Sequence, residues 1–280
     1  MSTALELGIV GFPVAHSKSP EMHQAAAADL GVALDYQRFE VSPDNLERVV
    51  ATKHRQGIDG YNVTVPHKEA ILTLLDEVSP EARAIGAVNT VVQTTRGYLG
   101  HNTDAPGLVR SLADASVLLD DSRVVIVGAG GAARAAAVGL AEAGASEVTI
   151  LARRTEQADR LVEAITEHIG CPIESAPLSE AAWYFDSATL LVQATSATLE
   201  SNPNADAFAA SLPIDQLPDE AAVVDLVYKP RKTAVLARAE QRALRTIDGL
   251  GMLLHQGAIA FEMWTGKAPS LDVMRRALEG

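Results

Sequence analysis

Arg123-Val124-Val125-Ile126-Val127-Gly128-Ala129-Gly130-Gly131-Ala132-Ala133-Arg134 lies near the middle of the chain. Four successive aliphatic residues, Val124 to Val127, read as a strand covered on both faces. A glycine turn follows at once, and Ala132 to Ala143 is a run of strong helix formers closed by Gly144. Strand, glycine turn and helix form the context in which the pattern G-x-G-x-x-G/A acquires meaning, and Gly128, Gly130 and Ala133 fill its three positions. Gly128 allows the tight exit from the strand, Gly130 lets a pyrophosphate approach the backbone, and Ala133 permits close packing of helix on strand. The unpaired N–H groups of the helix N-terminus favour the same anion. The stretch reads as a dinucleotide site; the competing reading is a glycine-rich βα turn with no ligand.

The strand that follows, Glu147 to Leu151, ends in Ala152-Arg153-Arg154-Thr155. An NAD-type turn carries an acidic residue here for the ribose 2′-hydroxyl. This chain carries two arginines, which suit a 2′-phosphate through charge-assisted hydrogen bonds. The expected cofactor is therefore NADP. Glu156 is the rival, but it follows Thr155, a candidate N-cap of the next helix.

Around this centre, strands and helices alternate, which predicts an α/β fold. The 280 residues suffice for two modest domains, and 48% hydrophobic with 21% charged residues is a globular composition. A formal charge of −13 argues against nucleic acid or an anionic membrane as partner. There is no stretch apolar enough to span a bilayer, no secretory signal pattern, and one cysteine, Cys171. These features predict a cytoplasmic protein. The seven histidines show no metal-ligand spacing, so no metal site is expected.

Three stretches near the N-terminus carry chemistry. Ser17-Lys18-Ser19-Pro20 sets two hydroxyls before a helix; they are either loop and N-cap residues or a pair holding a small polar ligand. Tyr61 to Val65 alternates as a strand, and Pro66 suits the first turn of a helix through Leu75, which puts Lys68 in that turn. The positive end of the helix disfavours an ammonium there, making Lys68 either a candidate proton-transfer group or a merely tolerated surface lysine. Tyr98 to Asp104 ends a hairpin on a carboxylate, and Asp104 is either the N-cap of the next helix or a partner for Lys68. Gln256 is a polar residue in an apolar helix behind the turn Gly249-Leu250-Gly251.

This set of motifs, in this order along nearly the whole chain, resembles the shikimate dehydrogenases. The resemblance rests on Ser17 to Pro20, Asn62-Val63-Thr64-Val65-Pro66-His67-Lys68, Ala87-Val88-Asn89-Thr90, Asn102-Thr103-Asp104, the turn Gly128 to Ala132, Asp225 to Tyr228, and Asp248 to Gln256. It implies an α/β substrate domain over residues 1–104, a Rossmann-type NADP domain over 105–246, and C-terminal helices over 247–280 that return to the first domain. It implies Lys68 and Asp104 as the catalytic pair. Ser17, Ser19, Thr64, Asn89, Asp104, Tyr228 and Gln256 would bind substrate. Gly128, Ala129, Gly130, Gly131, Ala132, Arg153, Arg154, Leu226 and Gly249 would bind NADP. The implied reaction is reversible reduction of 3-dehydroshikimate to shikimate with NADPH, by a homodimer. A quinate dehydrogenase of broader range, a methylene-tetrahydrofolate dehydrogenase and a non-catalytic NADP sensor are the alternatives. Two departures stand out. Ala152-Arg153-Arg154 replaces the family's usual Asn-Arg-Thr, and Gln193-Ala194-Thr195 replaces its Asn-Ala-Thr.

Overall fold

The computed structural model describes residues 4–280. The chain forms two compact units, one running up to Gly107 and resuming at Leu254–Gly280, the other covering Leu108–Leu253. Both divisions fall inside helices, a few residues past the strand ends at which the sequence pattern changes.

The first unit opens with β1 (Leu5–Gly11), α1 (Ser19–Asp29), β2 (Leu34–Glu40), α2 (Leu46–Gln56) and β3 (Gly60–Val63). It continues with β4 (Glu77–Val78), α3 (Pro80–Ile85), β5 (Thr90–Thr94), β6 (Gly97–His101) and the start of α4 (Asp104–Asp114). Its sheet has the order β2-β1-β3-β5-β6-β4 and is mixed. β1 runs parallel to β2 and β3, whereas β5 is antiparallel to β3 and to β6. The register sets Asn62 opposite Thr90, and Thr90 opposite His101. Val10, Val63, Ile71, Val88 and Val91 form the centre of the core on one side of this sheet.

The second unit contains β7 (Arg123–Val127), α5 (Gly131–Glu142), β8 (Glu147–Ala152), α6 (Thr155–Ile165), β9 (Ile173–Pro177) and α7 (Ala181–Phe185). β10 (Leu190–Gln193), α8 (Ala205–Ser211), β11 (Ala222–Asp225), α9 (Ala234–Gln241) and β12 (Arg245–Ile247) complete it. The order is β12-β11-β10-β7-β8-β9, and every neighbouring pair is parallel. Counted within the unit this is 3-2-1-4-5-6, the Rossmann order, which reverses between β7 and β10. Val125, Ile126, Ile150, Leu191 and Val223 are almost wholly buried, as expected for strands covered on both faces. Fully burying such a side chain contributes roughly 1.5–3 kcal/mol. The edge strand β9 has no continuous apolar run and was invisible to the pattern.

The last two helices are α10 (Leu250–Thr265) and α11 (Leu271–Glu279). α11 packs on α1, and Gly257 of α10 lies so close to Met22 that a Cβ there would collide with the Met22 side chain. Trp264 donates its indole N–H to the carbonyl of Val91 at 2.9 Å. Among the described residues no helix is long and apolar enough to cross a membrane.

Candidate active site

In the first unit, Lys68 Nζ lies 2.6 Å from Asp104 Oδ2, with side-chain exposures of 15% and 7%. Lys68 is not in the first turn of a helix, contrary to the sequence expectation. Val65 to Glu69 forms turns, and only Ala70–Leu74 winds into a short 3-10 helix. The reason is tertiary: the Lys68 carbonyl, which an α-helix would pair four residues on, accepts the N–H of Val88 at 2.8 Å. The buried His67 ring, 2.6 Å from the Val41 carbonyl, pins the turn from the other side. Lys68 therefore faces the Asp104 carboxylate and not the positive end of a helix.

Asp104 is available because another residue does the capping. Asn102 Oδ1 accepts the backbone N–H groups of Asp104 and Ala105 at 3.0 and 3.3 Å, and its Nδ2 donates to the Ala87 carbonyl at 2.9 Å. The start of α4 is satisfied by Asn102, which leaves the Asp104 carboxylate to Lys68. The residue two before Asp104 was the readable signal for this, since Asn is a favoured cap.

Asn89 and Gln256 also meet in this unit, with Asn89 Nδ2 3.5 Å from Gln256 Oε1 and 2.9 Å from Thr103 Oγ1. The two serines adjoin one another, Ser17 Oγ to Ser19 Oγ at 3.2 Å. Ser19 opens α1 without a side-chain cap bond, so it is not the N-cap. Arg38 donates to the Ser17 carbonyl at 2.6 Å and pairs with Glu21 at 2.7 Å, fixing the loop that carries the first serine. Thr64 follows β3, its N–H donating to the Val10 carbonyl at 2.9 Å.

In the second unit the glycine turn has the geometry its residues suggest. Gly128 has φ +124°, and a Cβ there would stand 2.9 Å from Thr195 Cγ2. Gly130 is the N-cap of α5 with extended backbone, and a Cβ would meet nothing within 4 Å. That open space, beside the free N–H groups at the start of α5, fits a pyrophosphate. Ala133 is fully buried against the sheet. The turn stands at the reversal point of the strand order, with Ala194 N–H donating to the Val127 carbonyl at 2.8 Å across the two strand ends.

Arg153 and Arg154 are both exposed at the end of β8. Arg154, not Thr155, occupies the N-cap position of α6, and no side chain caps that helix. Its guanidinium donates to Gln157 Oε1 at 2.8 Å, and Gln157 Nε2 donates to the Ala129 carbonyl at 3.1 Å. Gln157 thus ties one arginine to the glycine turn, a link the sequence reading missed. On the other side of the sheet, Asp225 ends β11 as a fully buried carboxylate. It accepts from Thr233 at 2.7 Å, Gln193 and Val227 N–H at 3.0 Å, and Thr198 at 3.2 Å. Burial pushes its carboxyl above the ordinary range, against the pull of those four donors. Gln193, the departure from the family's asparagine, is held by this cluster. Leu226 and the half-buried Tyr228 follow Asp225, and Gly249 packs on the backbone of Leu226 and Val227. Among the described residues no cluster of three or more His, Cys, Asp or Glu could hold a metal ion.

A parallel sheet in Rossmann order with a glycine turn at its reversal point, and a second α/β unit carrying a shielded lysine–carboxylate pair, define the class of two-unit α/β dehydrogenases. Three family profiles match the chain: the shikimate dehydrogenase substrate binding domain over residues 9–91, shikimate / quinate 5-dehydrogenase over 111–252, and the shikimate 5′-dehydrogenase C-terminal domain over 249–279. The chain belongs to the shikimate dehydrogenase family. The shikimate dehydrogenase (NADP(+)) of Shouchella clausii strain KSM-K16 is 39% identical over 277 residues, covering 98% of this chain and 97% of the relative. That of Methanopyrus kandleri is 41% identical over 276 residues, covering 97% and 94%. The crystal structure of shikimate 5-dehydrogenase from Thermus thermophilus in complex with NADP(H) and shikimate superposes with a TM-score of 0.84 at 39% identity, covering 98% of each chain.

Proposed function

We propose that the protein is an NADP-dependent shikimate dehydrogenase, interconverting 3-dehydroshikimate and shikimate. The observation that carries the reading is the Lys68–Asp104 pair at 2.6 Å, in a chain whose close relatives bear that name. The first unit, with its C-terminal helices, is the substrate-binding and catalytic domain; the second binds NADP. When bound, the reduced nicotinamide supplies a hydride to the carbonyl carbon of the substrate. The residues of the chain handle the rest.

Carbonyl reduction places negative charge on oxygen, and that oxygen needs a proton. Lys68 Nζ–H donates it, and in the oxidative direction the neutral amine takes it back. Asp104 holds the ammonium in place and compensates its charge. Ser17 and Ser19 donate to the substrate carboxylate, while Thr64, Asn89, Tyr228 and Gln256 hydrogen-bond its hydroxyls. Such a polar set rejects analogues that lack a hydroxyl, because buried partners are then left unpaired. On the cofactor side, Gly128 to Ala132 receive the pyrophosphate, Arg153 and Arg154 the 2′-phosphate, and Leu226 and Gly249 border the cofactor.

The test is the rate at 340 nm with shikimate, run with NADP⁺ and NAD⁺ in parallel and repeated with quinate. Fast reduction of NADP⁺ with shikimate supports the reading. Faster turnover of quinate would reassign the substrate, and cofactor binding without any turnover would make the protein a sensor. The same reading carries a cytoplasmic location, supported by the lone Cys171, and a homodimer, suggested by the family resemblance. Light scattering tests the homodimer.

A further inference from the structure

Behind Asn89, the side chains of Tyr36, Asn62, Thr90 and Thr103 are buried, none more than 4% exposed. Two backbone groups fix the orientation of both amides among them. The Asn89 carbonyl can only accept, so the Asn62 atom 3.1 Å from it is Nδ2. Asn62 Oδ1 therefore faces Tyr36, whose hydroxyl donates to it at 2.7 Å. The backbone N–H of Thr103 can only donate, so the Asn89 atom 2.7 Å from it is Oδ1. Asn89 Nδ2 therefore faces Thr103 Oγ1 and Gln256 Oε1. The Thr90 hydroxyl joins the two amides: it accepts from Asn62 Nδ2 at 3.1 Å and donates to Asn89 Oδ1 at 3.0 Å. One path runs in a single direction, from Tyr36 to Asn62 to Thr90 to Asn89; the Thr103 hydroxyl lies beside it, 3.2 Å from both Thr90 Oγ1 and Asn89 Oδ1. Burial raises the Tyr36 phenol well above its ordinary value, so the chain starts from a permanent donor.

We infer that Tyr36, Asn62 and Thr90 are positioning residues that, together with the backbone N–H of Thr103, hold the Asn89 amide firmly in one of its two flip states, so that this position meets a ligand as an N–H donor and not as a carbonyl acceptor. A flipped amide would set Nδ2 against the Thr103 N–H, a buried donor facing a donor, and would lose the bond from the Thr90 hydroxyl, which would have to turn and accept. The ligand chemistry this selects is an oxygen that accepts there. The inference rests on the proposed function for the ligand, a ring polyol, but not for the relay itself.

Three variants test it beside the wild type. Thr90→Val keeps the β-branched shape and removes the hydroxyl; Thr90→Ser keeps the hydroxyl; Tyr36→Phe removes the first donor. Thr90→Val should raise the KM for shikimate about tenfold, the cost of one unsatisfied buried group, without raising that for NADP⁺. Thr90→Ser should restore it, and Tyr36→Phe should move it in the same direction as Thr90→Val. In nitrogen-15 spectra the side-chain amide protons of Asn62 and Asn89 should exchange slowly in wild type and Thr90→Ser, and faster in Thr90→Val and Tyr36→Phe. An unchanged shikimate KM, or an equal rise for NADP⁺, overturns the inference. If wild type fails to oxidise shikimate, the proposed function falls, and the spectra alone decide: unchanged slow exchange at Asn89 in the variants overturns the relay. Tyr36→Phe, which keeps the ring and removes only the hydroxyl, decides it if Thr90→Val does not fold.

Discussion

Lys68 Nζ, on a turn, and Asp104 Oδ2, at the first residue of α4, are 2.6 Å apart although 36 residues distant in sequence, and little water reaches either side chain. Under the proposed function a pair so placed serves both chemistry and folding. Lys68→Ala should lower kcat by roughly 10²–10⁴-fold, the range for general acid–base catalysis. Asp104→Ala leaves a shielded ammonium without its counter-charge and should cost about 3 kcal/mol of stability, the lower end for a broken buried pair because Lys68 keeps some exposure. Rates at 340 nm and urea midpoints check the two effects separately; a Lys68→Ala enzyme with near wild-type kcat would remove the lysine from the mechanism.

Arg154 is preset by Gln157, whereas the exposed Arg153 has no such side-chain partner among the described residues. Arg154→Ala should therefore raise the KM for NADP⁺ about ten- to a hundredfold, the loss of charged hydrogen bonds, and leave that for NAD⁺ unchanged. Gln157→Ala should move the same ratio less far. Steady-state kinetics with both cofactors decide the matter, and a ratio insensitive to Arg154 would place the 2′-phosphate elsewhere.

Gly130→Ala separates space from strain. Its backbone is extended and a Cβ would meet nothing, so the variant should fold with a Tm within a few degrees of wild type. The added methyl would occupy the room proposed for the pyrophosphate, so cofactor KM should rise. Gly128→Ala should lose Tm instead, because φ +124° and the nearby Thr195 methyl both oppose a side chain. Thermal melts and titrations of NADP⁺ fluorescence quenching distinguish the two, and equal losses of Tm would refute the distinction.

His23 supplies a pH dependence with a definite sign. Its ring is fully buried, stacked 4.7 Å from Tyr36, with Trp264 edge-on at 5.3 Å and the Asn62 amide as a nearby polar group whose opposing pull burial outweighs. Burial lowers its pKa from 6.5 to about 3, because the cation would lose its water. A lowered pKa means that the folded state holds the neutral ring, so its stability contribution is full above pH 6.5 and lost progressively as pH falls toward 3. His23→Phe fits the same aromatic cage and should flatten that part of the profile. Urea midpoints of both proteins between pH 7 and pH 4 give the answer (pH values about one unit apart suffice); parallel profiles would show that His23 does not carry the dependence.

The second unit was largely legible in the sequence. Parallel strands covered on both faces must be apolar at every position, so Val124 to Val127 and Leu190 to Val192 announce themselves, and glycines mark the turns between them. The edge strand β9 was not legible, because an edge strand needs no such run. In the first unit the turn at Lys68 was misread for a related reason. The local signal, proline before a helical spacing, was genuine, but the Lys68 carbonyl is held by the N–H of Val88, in the loop before β5, and the chain winds only from Ala70.

The sequence by itself determined the α/β class, the glycine turn and its helix, the arginines that end β8, and the residue types at the site, because each depends on chemistry within a few neighbouring residues. Only the tertiary structure decided which of these groups meet. Asn102 rather than Asp104 caps α4 because the Ala87 carbonyl, on a different loop, holds the Asn102 amide in place. Thr90 joins Asn62 to Asn89 because the strand register sets Thr90 opposite Asn62. Both choices are made by hydrogen-bond partners far away in sequence, and a buried polar group takes whichever partner the fold brings within about 3 Å, since leaving it unpaired costs about 1–3 kcal/mol.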